Sequence, residues 1–269
     1  MSFVPALGAG GFTGWAMLKR TAATQKAVFD RQASIQRDEA YFRDRIGKIG
    51  SAEELVNDRR LLSVALGAFG LEADINNRFF IRKVLEDGTL KEGALALKLA
   101  DKRYREFSAA FGLGDFGTGR IRISDFADRI VSAWKERGFE AAVGKVDESL
   151  RLAMNAEREI GKVASASMSE DARWFTLMGQ RPVRQVLETA FGLPSSFGTL
   201  DIDKQKEMLK QKAEAAFGDG RVSQFAAPDR MQDLVKRYLL RAQMTTGTPA
   251  GSANAALAMV TRLAESMRR

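Results

Sequence analysis

Residues 139–164, FEAAVGKVDESLRLAMNAEREIGKVA, carry the cleanest period in the chain. Phe139, Val143, Val146, Leu150, Ala153, Ile160 and Ala164 recur at alternating four- and three-residue steps, with Glu157 as the one polar interruption. That spacing puts them on one side of an α-helix, and a seam of this length packs along other helices or a partner. The expected architecture is therefore helix against helix. Proline is rare, at five in 269 residues, and alternating runs of Val, Ile, Thr and Tyr that would mark strands are scarce.

Working outward from the seam, Ser124 is placed to cap a helix carrying Ala127, Ile130 and Trp134. Arg120–Ile123 is the best candidate for a short extended piece, after a Gly112–Gly119 loop. Leu97, Ala100, Tyr104, Phe107 and Phe111 predict one buried helical face, and a helix at about 75–86 ends at Asp87-Gly88. Ser51 and Glu54 form a capping box that opens a helix with the stripe Leu55, Leu62, Leu66 and Phe69, ended by Gly70. Residues 1–14 read as a Gly-rich lead. From Trp15 to about Ile46 a helix carries Leu18, Ala22 and Phe29 on one face, and its polar middle, Asp30 to Glu39, predicts a bend or a projection.

Beyond the seam, Ser165 to Asp171 reads as a loop, and Pro182 starts a helix with Val183, Val186, Leu187 and Phe191 that Gly192 ends. Helices at about 204–217 and 228–244 follow. Thr245 to Ser252 is a linker by composition, and a last helix over about 253–267 presents Leu257, Val260, Leu263 and Met267. The organisation expected is a lead and first helix (1–50), a first helical half (51–138), a second half (139–244), and a linker with a terminal helix (245–269). The fold class expected is all-α, a multi-helix bundle of two loosely similar halves with little or no sheet. The likeness is an echo: Val64-Ala-Leu-Gly-Ala-Phe-Gly-Leu71 aligns without gaps to Val186-Leu-Glu-Thr-Ala-Phe-Gly-Leu193, with Arg59 opposite Arg181. The alternative is that Ala-Phe-Gly is only a favoured helix ending, because it recurs at Ala110 and Ala216.

Composition narrows the chemistry. The chain has no cysteine and no histidine, which removes disulfides, thiolate nucleophiles, Cys/His zinc sites and the commonest general base. The formal charge is +8, but 42 basic and 34 acidic residues interleave along the helices, with no long block of one sign. The apolar start, Met1 to Met17, is followed rather than preceded by Lys19 and Arg20, so neither a secretory signal nor a membrane span is expected. Gly8-Ala-Gly-Gly11-Phe-Thr-Gly14 has the glycine spacing of some dinucleotide sites, but it lacks a preceding strand and a downstream acidic strand end. A Gly-rich terminus leading into a helix fits it better. Asp101-Lys-Arg-Tyr104 could hold a Lys–Tyr pair, though a salt-bridged helix edge is the commoner use. Asp201-Ile-Asp203 lacks the further ligands of a calcium loop and reads as a helix cap.

Several stretches resemble a known family: Gly14-Trp15 to Thr21, Tyr41-Phe-Arg to Ile46, Asp58-Arg-Arg-Leu-Leu to Leu71, Leu99 to Tyr104, and Ala190-Phe-Gly-Leu-Pro194-Ser-Ser-Phe197. They are similar to a domain-of-unknown-function family found chiefly in alphaproteobacteria, whose genes tend to lie among flagellar genes. The resemblance runs from about residue 12 to about residue 241. It implies an association with flagellar assembly, structure or motility, and it brings no activity, cofactor or catalytic residue. The expected function is a non-enzymatic structural or interaction protein with no catalytic, cofactor or metal residues. Flagellar components are the expected protein partners, and a homo-oligomer is left open. The expected location is cytoplasmic or flagellum-associated. Trp15, Leu18, Phe29, Leu257, Val260, Leu263 and Met267, on the terminal helices, are the expected contact residues. A nucleic-acid-binding helical protein is the alternative, and a nucleotide-dependent enzyme using the early glycines comes last.

Overall fold

The computed structural model describes residues 3–8 and 10–246. Among these, fourteen α-helices follow one another and no strand occurs, so the fold is all-α. In chain order they are α1 (Gly11–Asp30), α2 (Ala33–Arg45), α3 (Ala52–Asn57), α4 (Arg59–Gly67), α5 (Arg78–Asp87), α6 (Leu95–Lys98) and α7 (Arg103–Phe111). They continue as α8 (Leu113–Phe116), α9 (Phe126–Gly144), α10 (Glu148–Ala164), α11 (Glu170–Met178), α12 (Arg181–Phe191), α13 (Ile202–Phe217) and α14 (Pro228–Thr246). The chain divides into two compact units, each over its described residues: Met1–Gly8 with Ala16–Arg151, and Ala9–Trp15 with Leu152–Arg269. The division falls inside α10 rather than between residues 138 and 139, which lie within α9. The linker from residue 247 onward and the terminal helix with Leu257, Val260, Leu263 and Met267 lie outside the described residues.

Aspartates cut three of the expected helices. The 51–69 stripe breaks at Asp58, whose Oδ1 accepts from the backbone N–H of Arg60 and Leu61 at 3.0 Å each and so starts α4 afresh. The 97–111 face breaks before α7, where the Asp101 carboxylate accepts from the Arg103 N–H at 3.0 Å. The long seam itself breaks at Asp147, which accepts from Ser149 and Leu150 N–H at 2.9 and 3.2 Å. Val146, expected in the seam, is left 51% exposed between α9 and α10. In each case the carboxylate satisfies N–H donors that a helix start would strand.

Other expectations are corrected in the same local terms. Ser124 does not cap α9; Asp125 holds the N-cap position, with no side-chain cap bond. Residues 120–123 form successive turns, with Ile123 N–H bonded to Arg120 C=O at 3.3 Å, because no other strand offers them a ladder. A further helix, α11, occupies 170–178, capped by the Ser169 hydroxyl on the Ala172 N–H. The polar stretch after Asp30 does bend the chain: α1 ends there and α2 begins at Ala33.

The sequence echo is a structural one. α4 and α12 begin at Arg59 and Arg181 and end at Ala68-Phe-Gly70 and Ala190-Phe-Gly192, where the glycines take φ of 71° and 62°. Equivalent bonds close both ends, from Leu71 N–H to Leu66 C=O at 3.0 Å and from Leu193 N–H to Glu188 C=O at 2.9 Å. The other two Ala-Phe-Gly ends belong to the same pattern. Phe69 meets Phe111 at 6.4 Å and Phe111 meets Phe126 edge-on at 5.2 Å; Phe191 meets Phe217 at 6.2 Å and Phe217 meets Phe225 edge-on at 5.5 Å. An arginine from the last helix of each unit then donates to the same carbonyl: Arg137 Nε to Ala68 O at 2.9 Å, Arg237 Nε to Ala190 O at 2.8 Å. α9 packs on α4 and α14 on α12 through these contacts.

Glycine substitutions should separate by sign. Gly70→Ala and Gly192→Ala force a left-handed φ on an L residue and should each cost about 1–2 kcal/mol in denaturant unfolding. Gly161→Ala, inside α10 with nothing within 4 Å of the added methyl, should stabilise by about 0.5–1 kcal/mol.

Candidate docking site

Residues 3–8 form no helix and lie along the first unit, with Pro5 and Leu7 buried and Val4 and Ala6 exposed. Period-two burial is the mark of an extended strand of chain set against a surface. The surface is a stripe of α1 at four-residue spacing, Met17, Thr21, Gln25 and Phe29, continued by Gln32. Phe3 donates its N–H to Gln32 Oε1 at 3.2 Å. Gln25 reads Ala6 at two points: its Oε1 accepts from the Ala6 N–H at 2.8 Å, and its Nε2 donates to the Ala6 C=O at 2.9 Å. The amide is oriented in turn by Thr21, whose Oγ1 accepts from Gln25 Nε2 at 2.7 Å and donates to Met17 C=O at 2.8 Å. At the far end, a methyl on Gly8 would stand 2.9 Å from Met17 Sδ.

The segment therefore runs antiparallel to α1. Five extended steps span about 17 Å, and the twelve helical steps from Met17 to Phe29 rise about 18 Å, so the two match in length. The Phe3 ring sits edge-on to Phe29 at 5.6 Å and tilted against Phe139 of α9 at 5.9 Å; Phe29 and Phe139 themselves stand 6.0 Å apart. A methyl on Gly138 would come within 3.1 Å of Phe29 Cζ, so the glycine is what admits Phe29 to α9. The stretch expected as a loose Gly-rich lead is a docked peptide.

The expected contact residues are placed differently by the structure. Trp15, Leu18 and Phe29 are all buried, and Phe29 is covered by the chain's own Phe3, so none of the three presents an open surface. Gly8 and Gly11 serve the reversal from the docked segment into α1, with φ of 66° and 63°. In the second unit, a methyl on Gly11 would collide with the Gln243 amide, and Lys236 lies 5.5 Å from the Phe12 ring. Nothing in the sequence marks Gln25, Gln32, Phe3, Pro5, Leu7 and Phe139 as a site: residues 3–7, Phe-Val-Pro-Ala-Leu, are apolar throughout, and they alternate only in burial.

The polar clusters are internal ties. Tyr104 donates to Asp74 Oδ2 at 2.6 Å; burial and that carboxylate push its hydroxyl up to about 12. Burial pushes the Asp101 carboxyl up, but the Arg103 side chain and N–H outweigh it and hold the group below the usual carboxylate range. Arg103 also donates to the Gly70 carbonyl. Asp201 caps α13 as expected, accepting from the Asp203 N–H at 2.9 Å. No helix among the described residues is long and apolar enough to cross a membrane.

These features define a class, an all-α protein whose two helical units share an arginine-clamped helix end and of which the first holds a docked peptide. The chain belongs to the family described as protein of unknown function DUF1217, whose pattern matches residues 68–231, from the first Ala-Phe-Gly to the start of α14. It is similar in fold to the crystal structure of protein AGR_C_984 from the alphaproteobacterium Agrobacterium tumefaciens, at 23% identity and a TM-score of 0.73, over 87% of this chain and 94% of that one. No curated protein matches it.

Gln25→Ala removes both bonds to Ala6 and should weaken docking by about 1–2 kcal/mol. Hydrogen exchange should then show the Ala6 amide losing protection while α4 and α12 keep theirs. The Tyr104–Asp74 bond should behave oppositely to a carboxylate tie in pH. A raised folded pKa makes its contribution full below about pH 10 and lost as pH climbs through about 12. Tyr104→Phe should cost about 2 kcal/mol at neutral pH, and the gap to the parent should shrink in alkali when both are unfolded in urea.

Proposed function

We propose that this protein is a non-enzymatic structural or interaction protein of the bacterial flagellum. The observation that supports an interaction role is the docked segment 3–8, held by glutamine amides that read main-chain atoms and by the burial of alternate side chains. That combination is how extended peptides are recognised, affinity coming from the main chain and selectivity from alternate side chains. The groups that acid–base chemistry would draw on are tied to one another, Tyr104 to Asp74 and Arg103 to Asp101. The flagellar part of the reading is supported by the sequence resemblance to a family whose genes tend to lie among flagellar genes.

Deleting the gene in a flagellated host should reduce spreading in soft agar, and the full chain should restore it. A chain ended at residue 246 should fail to restore it while keeping its helical circular dichroism, because it lacks Leu257, Val260, Leu263 and Met267. Cutting away residues 15–46 would be uninformative, since Trp15, Leu18 and Phe29 are core. Normal filaments and unchanged spreading in the deletion strain would overturn the flagellar reading.

A further inference from the structure

We propose that the α1 site takes the 3–8 segment of a second copy of this chain, so that two molecules exchange leading segments. The proposal rests on reading this site as a protein-docking surface, and it names the occupant. Three observations carry it.

The recognition is indifferent to chain continuity. Within the docked segment, the hydrogen bonds of Gln25 and Gln32 go to main-chain atoms of Ala6 and Phe3, and Phe29 and Phe139 take the Phe3 ring from outside their own helices. A segment of identical sequence from another molecule recovers every one of these contacts. Exchange then costs the hinge and the association, and nothing at the site.

The hinge is built for it. The segment doubles back on α1 through Gly8, Gly10 and Gly11, and the turn needs positive φ at Gly8 and Gly11. Gly11 is hemmed in by Gln243, so the other positive-φ glycine of the turn, Gly8, is taken as the pivot. Extending the chain at Gly8 swings residues 3–7 off α1 with the helix undisturbed.

The docked segment also defines what fits. Phe3 is half-buried at the aromatic pair and Pro5 and Leu7 are buried; Pro5 holds the chain extended and has no N–H to satisfy. While the turn is closed, the tethered segment competes at an effective concentration of about millimolar. Exchange therefore shows itself when the turn is forbidden.

Gly8→Val, which cannot hold the left-handed φ, should raise the full chain from one to two molecular masses in light scattering at concentrations where the parent runs at one. A complementation pair tests the geometry. One chain combines Gly8→Val with Phe3→Ala (site intact, segment spoiled), and the other combines Gly8→Val with Gln25→Ala (segment intact, site spoiled). Each alone should run at one mass, and the mixture should form a 1:1 pair. The proposal is overturned if the mixture stays at one mass, or if doubling persists in a single chain with all three changes, since another interface would then be at work. Should Gly8→Val not fold, the acetylated peptide Phe-Val-Pro-Ala-Leu-Gly added to the full chain carrying Phe3→Ala is the second test. Saturable binding, lost when the peptide's Phe becomes Ala, supports the proposal; no binding, or binding indifferent to that Phe, overturns it. A foreign Phe-x-Pro-x-Leu peptide binding at least tenfold more tightly would make the occupant a different protein. Soft-agar spreading is read separately, so a failure here leaves the flagellar reading standing, and the reverse.

Discussion

A helix that stops inside a packed core strands its last carbonyls, and each unit of this chain answers with an arginine. Ala68 and Ala190 each accept from the Nε of an arginine far along the chain, Arg137 on α9 and Arg237 on α14. A buried carbonyl left without a donor would cost about 1–3 kcal/mol. The bond also ties the last helix of a unit to one point along the earlier one. Gly70 and Gly192 turn the chain immediately after, and the phenylalanines between carbonyl and glycine face the second Ala-Phe-Gly end. Carbonyl, ring and turn occupy three successive residues, which is why the tripeptide recurs as a unit.

The fold class was legible because apolar spacing and helix-stopping glycines are local and redundant. Gly70, Gly88, Gly112, Gly192 and Gly218 all adopt positive φ at or near helix ends. Helix lengths were less legible. Asp58, Asp101 and Asp147 each sit in an apolar stripe that runs on past the break, since the helices on either side face the same kind of core. Spacing alone reports the face and is blind to the cap. The rule that would have found these breaks is a carboxylate two or three residues ahead of an N–H it can accept, read with as much weight as the period. Ser169-Glu170, which opens the overlooked α11, carried the same signal.

The docking site was illegible for a different reason. Its two halves are unlike anything that marks a site by composition: a short apolar run at 3–7, and a mixed stripe of Met, Thr, Gln and Phe on α1. Gln25 and Gln32 look like ordinary solvated positions of a polar helix. Their role appears only when an extended backbone with unmet donors and acceptors is laid beside them, as Ala6 is. Phe29 was singled out for the right face and the wrong occupant; its ring does meet a docked partner, and that partner is Phe3.

Among the described residues a peptide is docked on the first unit, and the residues beside the clamp arginines give the reason. Aligning the clamp arginines sets Arg137-Gly138-Phe139 of α9 against Arg237-Tyr238-Leu239 of α14. In the first unit the middle residue has no side chain, and Phe29 comes close enough that even a methyl would stand 3.1 Å from it. In the second unit the same place carries the buried ring of Tyr238, followed by a buried Leu239 in place of Phe139. The clamp needs only the arginine and tolerates either neighbour. The aromatic pocket needs the glycine to let α1 approach and the phenylalanine to complete it. One architecture, used twice, thus supports this aromatic docking site where the residue after the arginine leaves room for it.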